Sequence, residues 1–367
     1  MVLVLAFFVS PIFFIPKEKK SAPDVWVGVD ASFASVVDTE KLIDTVKSYT
    51  NLFIVGSTAI TWNQSYLNQV CQYLNDSNMR FLTFGHPGAD QFFSGKNWIR
   101  QAEQLWGTNF MGLYAYDEPG GHQIDHDTFF MCAPQAINYS DAAAKFVQNL
   151  TYYLGLVKHG WETGDLPLFT SDYALQEYAY RGGYDAVFTE FGWNGSNPQL
   201  SIALCRGAAT VHNRDWGVMI TGSLNGSQLE RGAQMYLNMI SAYDNGAKYI
   251  IVFDYPNLQG GILQQEHFDA MRQFWQYAQN HPRSESSASD RVAYVVPKDY
   301  GFGFRSASDK IWGLWNADNQ SSTVWSGVQN ALGQYGSKLD VVYEDCLLLN
   351  VSAYRQFVFW NGTNLNS

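Results

Sequence analysis

The chain has 367 residues, with 23 Lys+Arg against 34 Asp+Glu, a net charge of −11, and aromatic and charged fractions that are equal at 16%. A typical soluble domain is about 25% charged, so much of this surface must be built from uncharged polar and aromatic side chains. The 46% hydrophobic content excludes a disordered chain, and the acidic balance excludes a nucleic-acid binder, which needs a basic face.

The chain opens on an apolar run. From Met1 to Pro16 only Ser10 is polar, and Lys17-Glu18-Lys19-Lys20 follows. A bilayer span needs about 20 apolar residues, so residues 1–23 are expected to form an export signal or an N-terminal membrane anchor. From Val25 onward one pattern repeats: a short apolar run ends in a polar residue, and an amphipathic stretch follows. The runs are Val25–Asp30, Leu52–Ser57, Arg80–His86, Phe110–Glu118, Leu166–Asp172, Asp185–Glu190, Trp216–Thr221 and Lys248–Asp254. Helices are expected at Thr39–Ser48, Ser65–Leu74, Trp98–Trp106, Asp141–Leu156, Leu200–Thr210 and Leu229–Tyr243, with a closing one around Gln264–Gln279. Strands that are apolar on both faces and alternate with helices imply a parallel sheet. Eight such units without a Gly-rich dinucleotide turn favour a (β/α)8 TIM barrel over an open doubly wound sheet. The barrel is expected over residues 24–282, a polar linker over 283–290, and a small C-terminal α/β appendage over 291–367. The appendage should hold strands at Val292–Val296, Leu339–Tyr343 and Gln356–Trp360, and a helix at Thr323–Tyr335.

Active sites of such barrels lie at the carboxyl ends of the strands. Asp30, Ser57, His86, Asp117, Glu118, Asp172, Glu190, Thr221, Asp254 and Tyr255 stand there, with Tyr173 and Trp193 close by. Strand-end Asp and Ser also cap the following helix, which is the structural alternative for Asp30 and Asp172. The sharpest segment is Tyr116-Asp117-Glu118-Pro119-Gly120-Gly121 at the end of strand four. Adjacent carboxylates point to opposite sides of a strand unless the backbone turns, and Pro119 with two glycines suits a turn. Two close carboxylates oppose each other's ionisation, so one pKa rises and that residue can serve as an acid near neutral pH.

At this point the chain resembles the (β/α)8-barrel glycoside hydrolases. Asp117-Glu118-Pro119 is similar to the Asn-Glu-Pro acid/base motif of the large retaining clan, and to the Asp-Glu pair of β-N-acetylhexosaminidases that use substrate-assisted catalysis. The resemblance implies Glu118 as general acid/base, with Asp117 orienting a 2-acetamido group in the second case. The retaining clan keeps its nucleophile on strand seven, where this chain has Ile220-Thr221-Gly222. Glu190 at the end of strand six is therefore the second catalytic candidate. Carboxyl groups ~5–5.5 Å apart would imply retention and ~6.5–9.5 Å inversion. Asp30, His86, Asp172, Tyr173, Trp193, Asp254 and Tyr255 are the expected substrate-binding residues, since aromatic faces and polar edges suit sugars. The C-terminal segment is similar to part of the flavodoxin-like domain that follows the barrel in some β-galactosidases.

Nine Asn-x-Ser/Thr sequons begin at Asn63, Asn75, Asn138, Asn149, Asn194, Asn225, Asn319, Asn350 and Asn361, which suits an extracellular or cell-surface glycoprotein. The cysteines, Cys71, Cys132, Cys205 and Cys346, have no CxxC spacing, so a zinc site is not expected, while one or two disulfides of open pairing are compatible with an exterior location. His122 through Asp127 reads as a polar loop rather than a metal site, and Gly301-Phe302-Gly303-Phe304 also reads as a loop. No cofactor is expected. The expected activity is hydrolysis of a glycosidic bond in an extracellular glycan. The alternative is a non-catalytic carbohydrate-binding or surface structural glycoprotein on the same barrel, favoured if the carboxyl groups stand too far apart to serve one sugar.

Overall fold

A computed structural model describes residues 23–32, 35–85, 95–128, 130–160, 166–192, 197–222, 229–257, 260–283, 290–346 and 351–366. The apolar N-terminal run, His86, Trp193 and most of the linker lie outside them. No helix among the described residues is long and apolar enough to cross a membrane.

Strand β1 (Trp26–Ala31) leads to α1 (Val36–Val46), β2 (Leu52–Val55), the short α2 (Thr58–Thr61), α3 (Gln64–Asp76) and β3 (Arg80–Gly85). Helix α4 (Gly95–Trp106), β4 (Phe110–Ala115), α5 (Pro119–Ile124) and α6 (Tyr139–Gly155) come next. They are followed by β5 (Leu168–Asp172), α7 (Gln176–Gly182), β6 (Ala186–Phe191), α8 (Pro198–His212) and β7 (Asp215–Ile220). The barrel ends with α9 (Gly232–Asp244), β8 (Tyr249–Asp254), a hairpin of β9 (Pro256–Asn257) and β10 (Gly260–Gly261), and α10 (Gln265–Asn280). Strands β1 to β8 pair in sequence order, and β8 closes onto β1 through parallel pairs such as Gly28↔Ile251 and Asp30↔Phe253. The barrel interior is packed by Leu52, Ile54, Leu82, Tyr114, Phe169, Phe188, Met219, Tyr249 and Ile251. Phe169, Phe188 and Tyr249 form a ring cluster with centroids 5.4–5.9 Å apart. A Cβ on Gly217 would meet Tyr249 at 2.6 Å, so glycine there makes room for the rings.

The (β/α)8 barrel expected from the sequence is therefore present, with three differences. Strand β4 stops at Ala115 rather than Glu118, because Tyr116 and Glu118 take left-handed backbone angles. Strand β5 starts at Leu168, just after Pro167, which has no N–H to give a ladder. His122 to Asp127 is not all loop: His122 lies in α5, the helix ends at Ile124, and His126 is left-handed at φ 58°. The two histidines thus do not share a helix face.

The C-terminal part holds β11 (Val292–Val296), α11 (Ser321–Tyr335), β12 (Leu339–Tyr343), β13 (Gln356–Phe359) and β14 (Asn364–Asn366), in the sheet order β12-β11-β13-β14. It packs on α8, where a Cβ on Gly207 would lie 2.3 Å from the Val341 carbonyl oxygen. Arg206 of α8 donates from Nε to Asp340 Oδ1 at 2.7 Å, and from Nη2 to the Ser337 and Leu339 carbonyls at 2.7 and 2.9 Å. Arg291 reaches the other Asp340 oxygen at 2.9 Å. All four cysteines are buried and none is paired with another, so the one or two disulfides that the sequence allowed are not formed.

Candidate active site

The site is built around the bend after β4. Tyr116 and Glu118 have φ of 56° and 45°. Such angles cost a non-glycine residue about 1–3 kcal/mol and persist only where the surroundings enforce them. Here the enforcing groups are buried. The Tyr184 hydroxyl donates to the Ala115 and Tyr116 carbonyls at 2.6 and 3.1 Å, and the Thr170 hydroxyl donates to the Tyr116 carbonyl at 2.7 Å. Pro119 then starts α5, where its missing N–H leaves no bond unmade. The Gly120 and Gly121 amides donate to Asp172 at 2.6 and 2.9 Å, and the Ala174 amide adds a third bond at 3.1 Å. A Cβ on Gly120 would stand 2.2 Å from the Ala174 carbonyl oxygen, so only glycine allows this approach.

The bend brings both acidic residues to the mouth. Glu118 is half-buried and hydrogen-bonds the carboxyl of Glu190, which is 3% exposed on β6. Burial raises the Glu118 carboxyl far above its usual range, and the negative charges of Glu190 and Asp117 raise it further. The pair thus favours holding a proton, and Glu118 is the carboxyl whose rise is marked. Asp117 is exposed as a residue, while its carboxyl turns in towards Tyr114 and Ser171. Desolvation raises that carboxyl, against the Tyr114 hydrogen bond, the His122 charge and the Ser171 hydrogen bond, which lower it. The Tyr114 hydroxyl donates to Asp117. The Ser171 hydroxyl donates to Glu190 Oε1 at 2.7 Å and stands 3.3 Å from Asp117 Oδ1. Tyr114 and Ser171 therefore join the two acidic positions into one network.

Sequence reasoning did not single out these two residues. Ser171 was visible as a hydroxyl near the end of a strand with apolar neighbours, and Tyr114 precedes Tyr116 by one strand period. Neither signal distinguishes a network member from ordinary core.

The other expected site residues divide in two. Asp30 and Asp254 close the mouth on the β1–β8 side. Asp30 is 3% exposed, and its carboxyl is raised well above the ordinary range by burial, then by the charges of Asp117 and Asp254. Its Oδ1 has no hydrogen-bond partner. Asp254 accepts from the Leu263 amide at 3.2 Å and is raised by burial. Tyr255 beside it is exposed, with its ring 5.9 Å from Phe253.

Asp172 and Tyr173 instead brace the bend. Asp172 spends its carboxylate on three amides and exposes no surface to a substrate. The Tyr173 hydroxyl donates to Asp125 at 2.6 Å, and its ring fills the space that a Cβ on Gly121 would need. His86 and Trp193 fall outside the described residues.

No family model and no curated protein matches the chain. Among solved structures it is similar to α-L-fucosidase isoenzyme 2 from Paenibacillus thiaminolyticus, at 11% identity and a TM-score of 0.53, covering 90% of this chain and 59% of that one. It is also similar to β-1,4-D-mannanase from Cryptopygus antarcticus, at 11% identity and a TM-score of 0.47, covering 71% and 92%. An endo-β-1,4-mannanase from Thermotoga petrophila aligns at 8% identity and a TM-score of 0.46, covering 75% and 82%. At 11% identity the likeness to the fucosidase bears on the fold alone, and function has to be argued from the site.

Proposed function

We propose that the chain is a retaining glycoside hydrolase with Glu118 as general acid/base and Glu190 as nucleophile. The observation that carries this reading is the gathering of the two carboxyl groups at the barrel mouth, close enough that Glu190 raises the Glu118 carboxyl on top of its burial. Carboxyls close enough for one to raise the other suit the short separation of retaining enzymes better than the wider one that seats the water of inversion, so retention is favoured. The same nearness weighs against a non-catalytic binding barrel, for which widely separated carboxyls were expected.

In the first step the Glu118 proton passes to the glycosidic oxygen as the C–O bond breaks, and a Glu190 oxygen bonds to the anomeric carbon. In the second, Glu118 takes a proton from water, whose oxygen displaces Glu190. Ser171 holds Glu190 in place through its 2.7 Å bond. Asp30, Asp254 and Asp117, partly desolvated at the rim, suit the hydroxyls of a sugar as hydrogen-bond partners.

The sequons support an extracellular or cell-surface setting. Asn63, Asn138, Asn319 and Asn361 are exposed, whereas the Asn149 amide donates to the Cys132 carbonyl and is not free to carry a glycan.

Glu118→Gln tests the acid role. Turnover of aryl glycosides with poor leaving groups should fall about 10²–10⁴-fold, and those with activated leaving groups should suffer far less in the bond-breaking step. Equal losses on both series, or no loss, would remove Glu118 from that role. Tight inhibition by a sugar thiazoline would instead move the nucleophile to a substrate acetamido group oriented by Asp117.

A further inference from the structure

Glu177 on α7, His212 at the end of α8 and Cys346 just after β12 converge on one point. His212 Nε2 lies 2.7 Å and Cys346 Sγ 2.8 Å from the same oxygen, Glu177 Oε1. One ligating atom from each residue lies within 4.8 Å of the other two. Glu177 and Cys346 are each 3% exposed, and Glu177 Oε2 is buried without a hydrogen-bond partner. Leaving such an oxygen unsatisfied costs about 1–3 kcal/mol. The nearby cation does not relieve it, because Arg181 pairs with Asp345 at 3.0 Å.

A sulfur, an imidazole nitrogen and a carboxylate oxygen are the donor types that bind Zn²⁺. With bond lengths of about 2.0–2.3 Å, tetrahedral ligand atoms stand roughly 3.4–3.6 Å apart, so an ion would open the present contacts by less than about 1 Å. His212 is half-buried, which gives an ion and a water a way in, and its ring stacks on Tyr180 at 21° and 6.1 Å, which fixes its plane.

We propose that Glu177, His212 and Cys346 form a Zn²⁺ site, completed by a water, that clips the C-terminal sheet to the barrel. Two ligands belong to barrel helices and the third follows β12, so the ion would tie the two parts together. On binding, the Cys346 S–H bond is replaced by a Zn–S bond and the proton passes to solvent. Ligands at positions 177, 212 and 346 have no sequence spacing that a motif could capture, which is why the cysteine pattern argued against zinc.

The test uses the full chain, freed of any affinity tag and of metal, and titrated with ZnCl2 and separately with CoCl2. Expected are one ion per chain, a thiolate-to-cobalt charge-transfer absorption and a higher Tm with zinc. Cys346→Ser and His212→Gln should each weaken zinc binding by more than the roughly 10–100-fold typical of outer ligand contacts, and abolish the Tm rise. Zinc binding that is unchanged in Cys346→Ser would overturn the site. So would a stoichiometric cobalt complex of the unaltered chain without the thiolate band, a reading that does not depend on any variant folding.

Discussion

Two groups of buried carboxylates in this molecule have opposite company. At the junction of α8 with the C-terminal sheet, Asp340 is 0% exposed and is met by Arg206 at 2.7 Å and Arg291 at 2.9 Å. At the barrel mouth, Glu118 feels the negative charges of Glu190 and Asp117, and Asp30 those of Asp117 and Asp254. The first arrangement matches each charge with its opposite and leaves little for it to do except hold the parts together. The second collects like charges where desolvation already disfavours ionisation, so protons stay on carboxyls that would otherwise lose them. Burial alone does not mark a functional acid; the sign of its neighbours does.

That contrast can be broken or sharpened by experiment. Removing a partner from the first group should have the largest effect on stability. Arg206→Ala leaves Asp340 with Arg291 as its one remaining arginine and strands the Ser337 and Leu339 carbonyls, and should cost about 1–3 kcal/mol in urea unfolding while leaving kcat of the folded fraction unchanged. A loss below 1 kcal/mol would mean that the pair is incidental.

The second group should respond to pH with the opposite sense. Because the folded Glu118 pKa lies above its ordinary value of 4.5, its stabilising contribution is complete below that value. It is lost as pH rises towards the folded value, since the unfolded chain releases the proton first. The stability difference between Glu118→Gln and the unaltered chain should therefore move in favour of the variant as pH rises from 5 to 9, by at most about 1.4 kcal/mol per pH unit. A pH-independent difference would contradict the raised carboxyl.

The smallest effect is expected at the connecting hydroxyl. Ser171→Ala removes one bond to Glu190 and should lower kcat/KM by roughly 2- to 13-fold, about 0.5–1.5 kcal/mol, with a shift in the acidic limb of the pH profile. An unchanged acidic limb would show that Ser171 does not tune Glu190.

Much of the barrel was legible because its strands are apolar on both faces and end in polar residues, so the register of Glu118 and Glu190 near the rim followed from pattern alone. A turn near Pro119 was legible too, but its start right after Ala115 was not, since residues 110–118 look like one strand. What ends it is a pair of hydroxyls, Thr170 and Tyr184, that lie 54 to 69 positions away in sequence. The division between Asp30, which stays partnerless at Oδ1, and Asp172, which is consumed by three amides, was equally hidden. Both are strand-end aspartates, and only the loops that reach them tell them apart. The convergence of Glu177, His212 and Cys346 is the extreme case, as it depends wholly on how the C-terminal sheet docks.

The pairing of Glu118 with Glu190 is tested most directly by offering azide to Glu190→Ala with an activated aryl glycoside of any sugar that the unaltered protein cleaves. The variant alone should be nearly inactive, and azide should restore turnover by entering the space left by the carboxylate. The product should be a glycosyl azide of inverted anomeric configuration. Turnover by Glu190→Ala at the unaltered rate, or a failure of azide to yield any such product from the folded variant, would contradict Glu190 as the nucleophile.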